Sequence, residues 1–271
     1  MLFDSHCHVH EADAGYAAET DSRNRWRKGG IVDAQPVLQR ARDAGIEGMI
    51  TVGTTLVDSE FAVAFAQRYD DVWSSIGLHP HEARHYAGQA ELLQRFAALA
   101  TAQRVVAVGE CGLDYYYDNS PRDQQRSVLE FQLDLAVHHG LPVVFHVREA
   151  FDDLWPIIDN FRGLRGVVHS FTANTAVLDK VLSRGLYVGL NGIMTFTKDT
   201  DQLAAARAVP LDGLMVETDA PFLTPAPLRG KMCEPQHVAV TAQFLSGLRG
   251  EPVEEFSQAT TANARTLFGC V

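Results

Sequence analysis

Six histidine, aspartate and glutamate residues that can bind metal each follow a short apolar segment of the sequence. They are His6, His8, Glu110, His146, His169 and Asp219. Imidazole nitrogens combined with carboxylate oxygens suit Zn²⁺ and Mn²⁺, and the carboxylates also accept Mg²⁺. A single histidine of this kind is more often a hydrogen-bonded structural residue, but the repeated placement of all six predicts a metal site.

The spacing of these residues indicates more than one ion. His6 and His8 are two positions apart, so on an extended chain they share a face and Cys7 points the other way. Six protein ligands exceed what one tetrahedral centre takes, and a bridging carboxylate can hold two cations ~3.5–4 Å apart. The sequence therefore predicts two divalent metal ions, with Mg²⁺, Mn²⁺ and Zn²⁺ all open.

Eight apolar, β-branched segments precede or contain these positions and alternate with longer helical patterns. The segments are Met1–Phe3, Gly48–Val52, Trp73–Ile76, Val105–Val108, Val143–Phe145, Val167–Val168, Leu186–Val188 and Leu214–Val216. Such alternation predicts βαβ units and a parallel sheet. With about 34 residues per unit, we expect an α/β fold, a (β/α)8 TIM barrel forming a single domain over residues 1–271, with a doubly wound open sheet as the alternative. The site would then lie at the carboxyl ends of the barrel strands.

Local signals predict two of the helices near the ends of this pattern. Ser120 would cap a helix that has Pro121 at its first position and ends at Gly140. Pro252 would precede a closing helical pair over residues 253–259 and 261–265.

Composition excludes several classes of protein. The 271 residues carry a net charge of −11, so a broad basic face for nonspecific nucleic-acid binding is not expected. No apolar run reaches the roughly 18 residues that a membrane span needs, and the four cysteines lack C-x-x-C spacing. We expect a cytoplasmic protein with reduced thiols, no membrane association and no obligate protein partner.

Residues 11–30 depart from the alternating pattern. The stretch is polar, lacks periodicity and changes from acidic to basic along its length, which predicts an insertion loop. Its cations Arg23, Arg25, Arg27 and Lys28, with Trp26, could form a basic flap that stacks on DNA. The alternative is a solvated loop or one that contacts another copy of the chain.

Several motifs together resemble the TatD family of metal-dependent deoxyribonucleases, from Met1 to Gly269. They are Asp4-Ser5-His6-Cys7-His8, Gly77-Leu78-His79-Pro80-His81, Gly109-Glu110-Cys111-Gly112-Leu113-Asp114, His146 with Arg148-Glu149, His169-Ser170-Phe171, and Glu217-Thr218-Asp219-Ala220-Pro221 with Arg229-Gly230-Lys231. The resemblance implies an amidohydrolase-like (β/α)8 barrel. It also implies that His6, His8, Glu110 and Asp219 hold one metal, and that Glu110 bridges to a second metal held by His146 and His169.

The activity implied by the resemblance is metal-dependent cleavage of phosphodiester bonds in DNA, as a 3′-5′ exonuclease that prefers single strands or 3′ ends, with RNA open as a substrate. The catalytic residues would be Asp219, which orients and deprotonates the attacking water, Glu110, and His81, which contacts phosphate or protonates the leaving oxygen. The same metal centre could instead hydrolyse a carbonyl substrate, an ester, an amide or D-aminoacyl-tRNA.

Further side chains are candidates for substrate binding. Arg148, Arg229 and Lys231 could bind phosphate, and Tyr115 with the two tyrosines after it could stack on unpaired bases. Each has a structural alternative: Arg148 could pair with Glu110 or Asp114, and the tyrosine rings could serve packing.

Overall fold

The computed structural model describes residues 1–270. Its strands are β1 Leu2–Cys7, β2 Ile46–Val52, β3 Val72–Ile76, β4 Val105–Asp114, β5 Val143–Arg148, β6 Gly166–Val168, β7 Tyr187–Leu190 and β8 Leu214–Val216. Its helices are α1 Asp21–Lys28, α2 Gln35–Asp43, α3 Leu56–Ala66, α4 Ala90–Ala98, α5 Arg122–His139, α6 Phe151–Ile158, α7 Thr175–Leu182, α8 Thr200–Ala208, α9 Val238–Arg249 and α10 Val253–Phe268. Every predicted apolar segment contributes to a strand, and helices follow the strands as expected.

The chain divides into two compact units. The first unit comprises residues 1–51 and 170–266 with Cys270, and the second comprises residues 52–169 and 267–269. In the first unit β1 pairs with β2 and β7 with β8, all in parallel, and β8 lies beside β1. In the second unit β3, β4, β5 and β6 pair in parallel in chain order. Neither unit shows the reversal of strand order that a doubly wound sheet requires.

Each unit buries its own set of apolar side chains between strands and helices. Phe3, Met49 and Ile50 are fully buried in the first unit, and Ile76 and Phe145 in the second. Buried strands of this kind read as near-continuous apolar runs, which is why the sequence pattern located them. In the described residues 1–270, no helix has the length and apolar character needed to cross a membrane.

Three strands extend past their predicted apolar segments into polar site residues, and β5 does so through His146 to Arg148. β1 continues through His6 and Cys7, and β4 continues through Glu110 to Asp114. Polar residues at the carboxyl ends of these strands interrupt the apolar pattern of the sequence. The backbone of each strand nevertheless continues to pair with the neighbouring strand. The candidate site residues on these strands are therefore held by sheet hydrogen bonds rather than by loops.

Three local predictions are corrected by the structure. The N-cap of α5 is Pro121 rather than Ser120, whose hydroxyl donates instead to the carbonyl oxygen of His81. The predicted closing pair is one continuous helix, α10. Residues 11–30 are not an irregular loop, because α1 forms within them and begins with the Thr20 side chain accepting from the Arg23 amide.

Candidate active site

The first unit gathers His6, His8 and Asp219, which we call the first cluster. His6 lies at the end of β1, His8 follows it, and Asp219 follows β8. The Nε2 atoms of His6 and His8 lie 3.7 and 3.5 Å from Oδ1 of Asp219. The two imidazole rings meet edge to face, with centroids 5.2 Å apart. Two nitrogens and one oxygen thus converge on a common point.

Backbone hydrogen bonds hold the first cluster in place. The amide of Asp219 donates to the carbonyl oxygen of His6 at 2.8 Å, and the amide of His8 donates to that of Ala220 at 2.7 Å. Asp219 has φ 59°, in the left-handed region that aspartate tolerates better than most residues. Such conformations persist where the surrounding structure enforces them, and they are frequent at functional sites.

A buried aspartate supports this cluster from within the first unit. Oδ1 of Asp4 accepts from the amide of Thr218 at 2.9 Å and from that of His6 at 3.4 Å, and its Oδ2 lies 2.6 Å from the Thr218 hydroxyl. Burial raises the pKa of Asp4 to about 8, against the lowering effect of these hydrogen bonds. Burial of Asp4 thus favours the protonated form of its carboxyl group.

The second unit gathers a larger set, which we call the second cluster. Its members are His79, His81, Glu110, Asp114, His146 and His169. Oε1 of Glu110 lies 2.7 Å from Nδ1 of His146, 3.4 Å from Nε2 of His79 and 3.5 Å from Nε2 of His169. One carboxylate oxygen thus faces three imidazoles.

Asp114 is the other carboxylate of the second cluster. Its Oδ2 lies 2.9 Å from Nε2 of both His81 and His146, and its Oδ1 accepts from the amides of Tyr116 and Tyr117. Asp114 and Glu110 are four residues apart on β4 and therefore share a face of the strand. The two carboxylates consequently reach opposite nitrogens of the same ring, that of His146.

These contacts lower the pKa of Asp114 and raise the pKa of His146. Although burial opposes it, hydrogen bonds from His146 and His81 hold the pKa of Asp114 well below its usual range. For His146, hydrogen bonds to Asp114 and Glu110 outweigh burial and raise the pKa. For His79, burial outweighs the contact with Glu110 at 3.4 Å and lowers the pKa to about 4. Neighbouring imidazoles of the second cluster thus have pKa values shifted in opposite directions.

The donor sets and spacings fit divalent cations. Metal–ligand bonds of roughly 2.0–2.2 Å in a tetrahedral arrangement separate neighbouring donors by about 3.4 Å. The distances from Asp219 to both histidines, and from Glu110 to His79 and His169, are 3.4–3.7 Å and match this separation. The contacts of His146 are shorter and are direct hydrogen bonds.

The predicted substrate residues of the second unit form an exposed platform. The Arg148 guanidinium lies over the rings of Tyr116 and Tyr117, at 4.3 and 4.8 Å from their centroids. Both rings are more than half exposed. The alternative pairing of Arg148 with Glu110 or Asp114 is not found among the described residues. Tyr115 instead donates its hydroxyl to Asp153.

The predicted phosphate-binding residues of the first unit differ in their contacts. Nη1 of Arg229 donates to the carbonyl oxygen of Thr224 at 2.9 Å, and its guanidinium lies 3.8 Å from the centroid of the Phe196 ring. Lys231 is exposed, and its backbone is held by hydrogen bonds to Leu228 and Thr224. Arg229 is thus fixed by its neighbours, while the Lys231 ammonium faces solvent.

The stacking role predicted for Trp26 in a flap over residues 11–30 is wrong. Trp26 is completely buried, and its Nε1 donates to the carbonyl oxygen of His8 at 3.1 Å. Arg23 is also buried and donates to the carbonyl oxygens of Glu11 and Asp13. Trp26 therefore supports the backbone of the first cluster and has no face available to a nucleobase.

Three further residues support the two clusters. His79 lies against Glu110, Asp114 joins two histidines, and Asp4 lies behind His6. The position of Asp114, four residues after Glu110 on one strand, was a usable signal because it predicts a shared face. For Trp26, a single large apolar side chain in a polar stretch was the available signal.

Comparison with known proteins assigns the fold and the family. The family model described as TatD related DNase matches residues 3–269. A metal-dependent hydrolase of Bacillus subtilis, YabD, is 33% identical over 99% of both chains, and the 3′-5′ ssDNA/RNA exonuclease TatD of Enterobacter lignolyticus is 38% identical over 88% of this chain and 93% of its own. The crystal structure of YjjV, a TatD homologue from Escherichia coli K12, matches with TM-score 0.84 and 28% identity over 99% of this chain and 98% of that one.

The fold and the clustered histidines and carboxylates define a metal-dependent hydrolase with a (β/α)8 barrel, which confirms the predicted fold class. The chain belongs to the TatD family of such hydrolases, as its motifs indicated.

Proposed function

We propose that this protein is a divalent-metal-dependent nuclease that hydrolyses phosphodiester bonds of single-stranded DNA from the 3′ end, with RNA as a second substrate. The observation that carries the proposal is an exposed platform of Arg148, Tyr116 and Tyr117 next to the second cluster. Tyr117 contacts the His81 ring, with centroids 5.4 Å apart. Several relatives named 3′-5′ ssDNA/RNA exonuclease also support it.

Each cluster is proposed to hold a divalent cation, Mg²⁺, Mn²⁺ or Zn²⁺. In the first unit the ligands would be His6, His8 and Asp219. In the second they would be Glu110, His146 and His169. Cations bound there would lower the pKa of a water molecule and neutralise charge on phosphate oxygens. The bridging role of Glu110 implied by the family resemblance stays a prediction.

The catalytic roles proposed for the chain's own residues follow from their contacts. The Asp219 carboxylate would orient the attacking water and accept its proton, because its backbone fixes it against both histidines of the first cluster. Asp114 accepts from Nε2 of His81, which leaves Nδ1 as the nitrogen that would hold the proton for the leaving oxygen. Asp114 thus positions His81.

Substrate binding is proposed to combine stacking with phosphate contacts. The half-exposed rings of Tyr116 and Tyr117 offer faces to unpaired bases, and Arg148 beside them offers a guanidinium to the strand. Tyr115 is held by Asp153, so its contact with substrate stays a prediction. Arg229 and Lys231 are proposed to contact phosphate from the first unit.

The test uses metal-stripped protein to which Mg²⁺, Mn²⁺ or Zn²⁺ is restored separately. Single-stranded DNA labelled at the 5′ end should give a ladder that shortens from the 3′ end, and a Glu110→Ala variant should give none. Hydrolysis of aryl esters or D-aminoacyl-tRNA without any cleavage of DNA or RNA would replace the proposal with the carbonyl-hydrolase alternative. The expected cytoplasmic location stays a prediction.

A further inference from the structure

An open cavity of about 220 Å³ lies in the first unit, between the carboxyl end of α1 and the segment that follows β8. Three cationic side chains line it: Arg25 and Lys28 from α1, and Lys231. The volume is far above the roughly 10–15 Å³ that one water molecule requires. The chain as a whole has a net charge of −11, whereas the charged residues that line this cavity are all cationic.

The cations of α1 divide into two groups by their position on the helix. Arg23 is buried against the carbonyl oxygens of Glu11 and Asp13, and Arg27 pairs with Glu19 at 2.6 Å. Arg25 and Lys28 are three residues apart, so they share a different face. This face is the one that lines the cavity.

No carboxylate is among the described residues that line the cavity. None of the three has an ion pair, and Glu234, which follows Lys231 in the chain, pairs instead with Arg40 at 2.7 Å. Like charges held together on a concave surface repel one another and raise the local potential, which favours binding of an anion. The cavity therefore lacks the negative charge that would offset its cations.

The walls of the cavity are held by packing within the first unit. The Arg25 guanidinium lies 4.9 Å from the centroid of the Phe222 ring. Gly29 packs so closely on Met232 that an added Cβ would lie 2.5 Å from the Met232 Cε. These contacts fix the end of α1 against the segment that carries Lys231, so the three charges are held together by the fold.

One residue in the wall of the cavity is close in sequence to the first cluster. Pro221 forms part of its wall and follows Asp219 by two residues. Two residues span at most about 7 Å, so this wall lies close to the Asp219 backbone. An extended strand with its reacting phosphate at Asp219 would place a neighbouring phosphate near the cavity.

We propose that Arg25, Lys28 and Lys231 form a subsite for a backbone phosphate of the nucleic-acid strand, next to the phosphate that reacts. The proposal rests on the proposed nuclease function, which supplies the strand. It differs from the predicted stacking flap because it needs no exposed aromatic ring and uses only the two unpaired cations of α1. Arginine offers two parallel donors to phosphate, and lysine offers a point charge.

The experiment measures binding of fluorescein-labelled dT12 by anisotropy at several salt concentrations, in a Glu110→Gln background that keeps the strand intact. Adding Arg25→Gln and Lys28→Gln should weaken binding about tenfold at low salt. It should also reduce the slope of log K against log salt by about 0.7 for each phosphate that the protein no longer neutralises. Lys28→Gln alone, which removes no ring contact, should show a smaller change in the same direction.

The matched control is Arg27→Gln, which removes one charge from the same helix outside the cavity and should leave the slope unchanged. Equal slopes for the cavity variants and the control would overturn the subsite, whether or not the wild-type protein cleaves DNA. A reduced slope in a protein that does not cleave DNA would retain the subsite and reject the nuclease function. Calorimetric binding of inorganic phosphate without any binding of dT12 would assign the cavity to free phosphate and overturn the proposal.

Discussion

Asp4 and Asp114 are both buried aspartates that support a histidine cluster, yet their pKa values are shifted in opposite directions. Asp4 is completely buried behind the first cluster and bonds to amides and a hydroxyl, and its pKa is raised to about 8. Asp114 lies in the second cluster and bonds to two imidazoles, and its pKa is lowered. Partners, rather than burial, decide the charge of a carboxyl group when a group that can become cationic is within hydrogen-bond distance.

The two clusters also differ in the contacts between their donor atoms before a cation binds. The first cluster has nitrogen–oxygen distances of 3.5 and 3.7 Å, which leave space for a cation between the donors. In the second cluster His146 is already bonded on both nitrogens to carboxylates, and its pKa is raised. A cation that binds there below the raised pKa of His146 must displace the proton of that ring.

The largest effect is expected from Glu110→Gln in the second cluster. Loss of the carboxylate that faces three imidazoles should lower DNA cleavage about 10³-fold or more, because metal binding and its electrostatic stabilisation supply several kcal/mol. Cleavage of end-labelled single strands in saturating Mn²⁺ measures the effect. Glu82→Gln, which alters a partly exposed carboxylate in the 3-10 helix Pro80–His85, serves as the control. A variant that keeps a tenth of wild-type activity would contradict the assignment of Glu110.

Asp114→Asn is expected to have the next largest effect. An amide in place of this anion would weaken the hydrogen bonds that hold the rings of His81 and His146, so activity and metal affinity should fall about 10- to 100-fold. Turnover and metal affinity are measured together across pH, because a purely structural defect would lower turnover without moving the pH profile. An unchanged profile would remove the positioning role of Asp114.

The pH dependence of metal binding should distinguish the two clusters. Because the raised pKa of His146 means that a proton occupies the ring below that pKa, metal affinity at the second cluster should fall about tenfold per pH unit there. Titration of metal-stripped protein with Zn²⁺ from pH 5.5 to 8 measures it, with His146→Gln for comparison. Two sites with the same pH dependence would show that the clusters do not differ in this way.

The smallest effect on activity is expected from Asp4→Asn. The asparagine matches the shape and hydrogen bonding of a protonated aspartate, so activity should remain within about twofold of wild type. Because the pKa of Asp4 is raised, its contribution to stability is fully present below the ordinary value of 3.8 and is lost as pH rises through about 8. Wild-type stability should therefore lose up to about 1.4 kcal/mol per pH unit in this range relative to Asp4→Asn.

Denaturant unfolding of metal-stripped protein at pH 5, 6 and 7 measures this difference. The free energy of unfolding of Asp4→Asn, relative to wild type, should rise with each step in pH. Parallel pH dependences of the two proteins would show that Asp4 is ionised in the folded state, and the contrast with Asp114 would disappear.

The apolar residues of β5 and β8 show which part of the fold could be predicted from the sequence. Their buried faces read as short apolar runs, and alternation with helices indicated the (β/α)8 class directly. The ends of β1, β4 and β5 were missed, because polar site residues there interrupt the apolar pattern while sheet hydrogen bonds continue. The two predicted helices near the carboxyl end are one, since the intervening residues lack a strong helix breaker.

The structure of residues 11–30, which contain α1, could not be predicted from the sequence pattern. The composition of this segment predicted a solvated loop, but Trp26 and Arg23 find buried partners in the backbone near His8 and Glu11. A polar stretch can fold as a helix when packing on another segment offsets weak local propensity. That packing involves residues far enough apart in sequence that composition does not report it.

The sequence by itself determined the donor types, their placement behind or within strands, the fold class and the family, because these depend on local pattern and residue chemistry. Only the tertiary structure decided which donors meet, that Asp114 joins His81 to His146, and that Arg25 and Lys28 stay unpaired while Arg23 and Arg27 do not. Charge state and pairing depend on distances between side chains that are remote in the chain, and folding alone sets those distances.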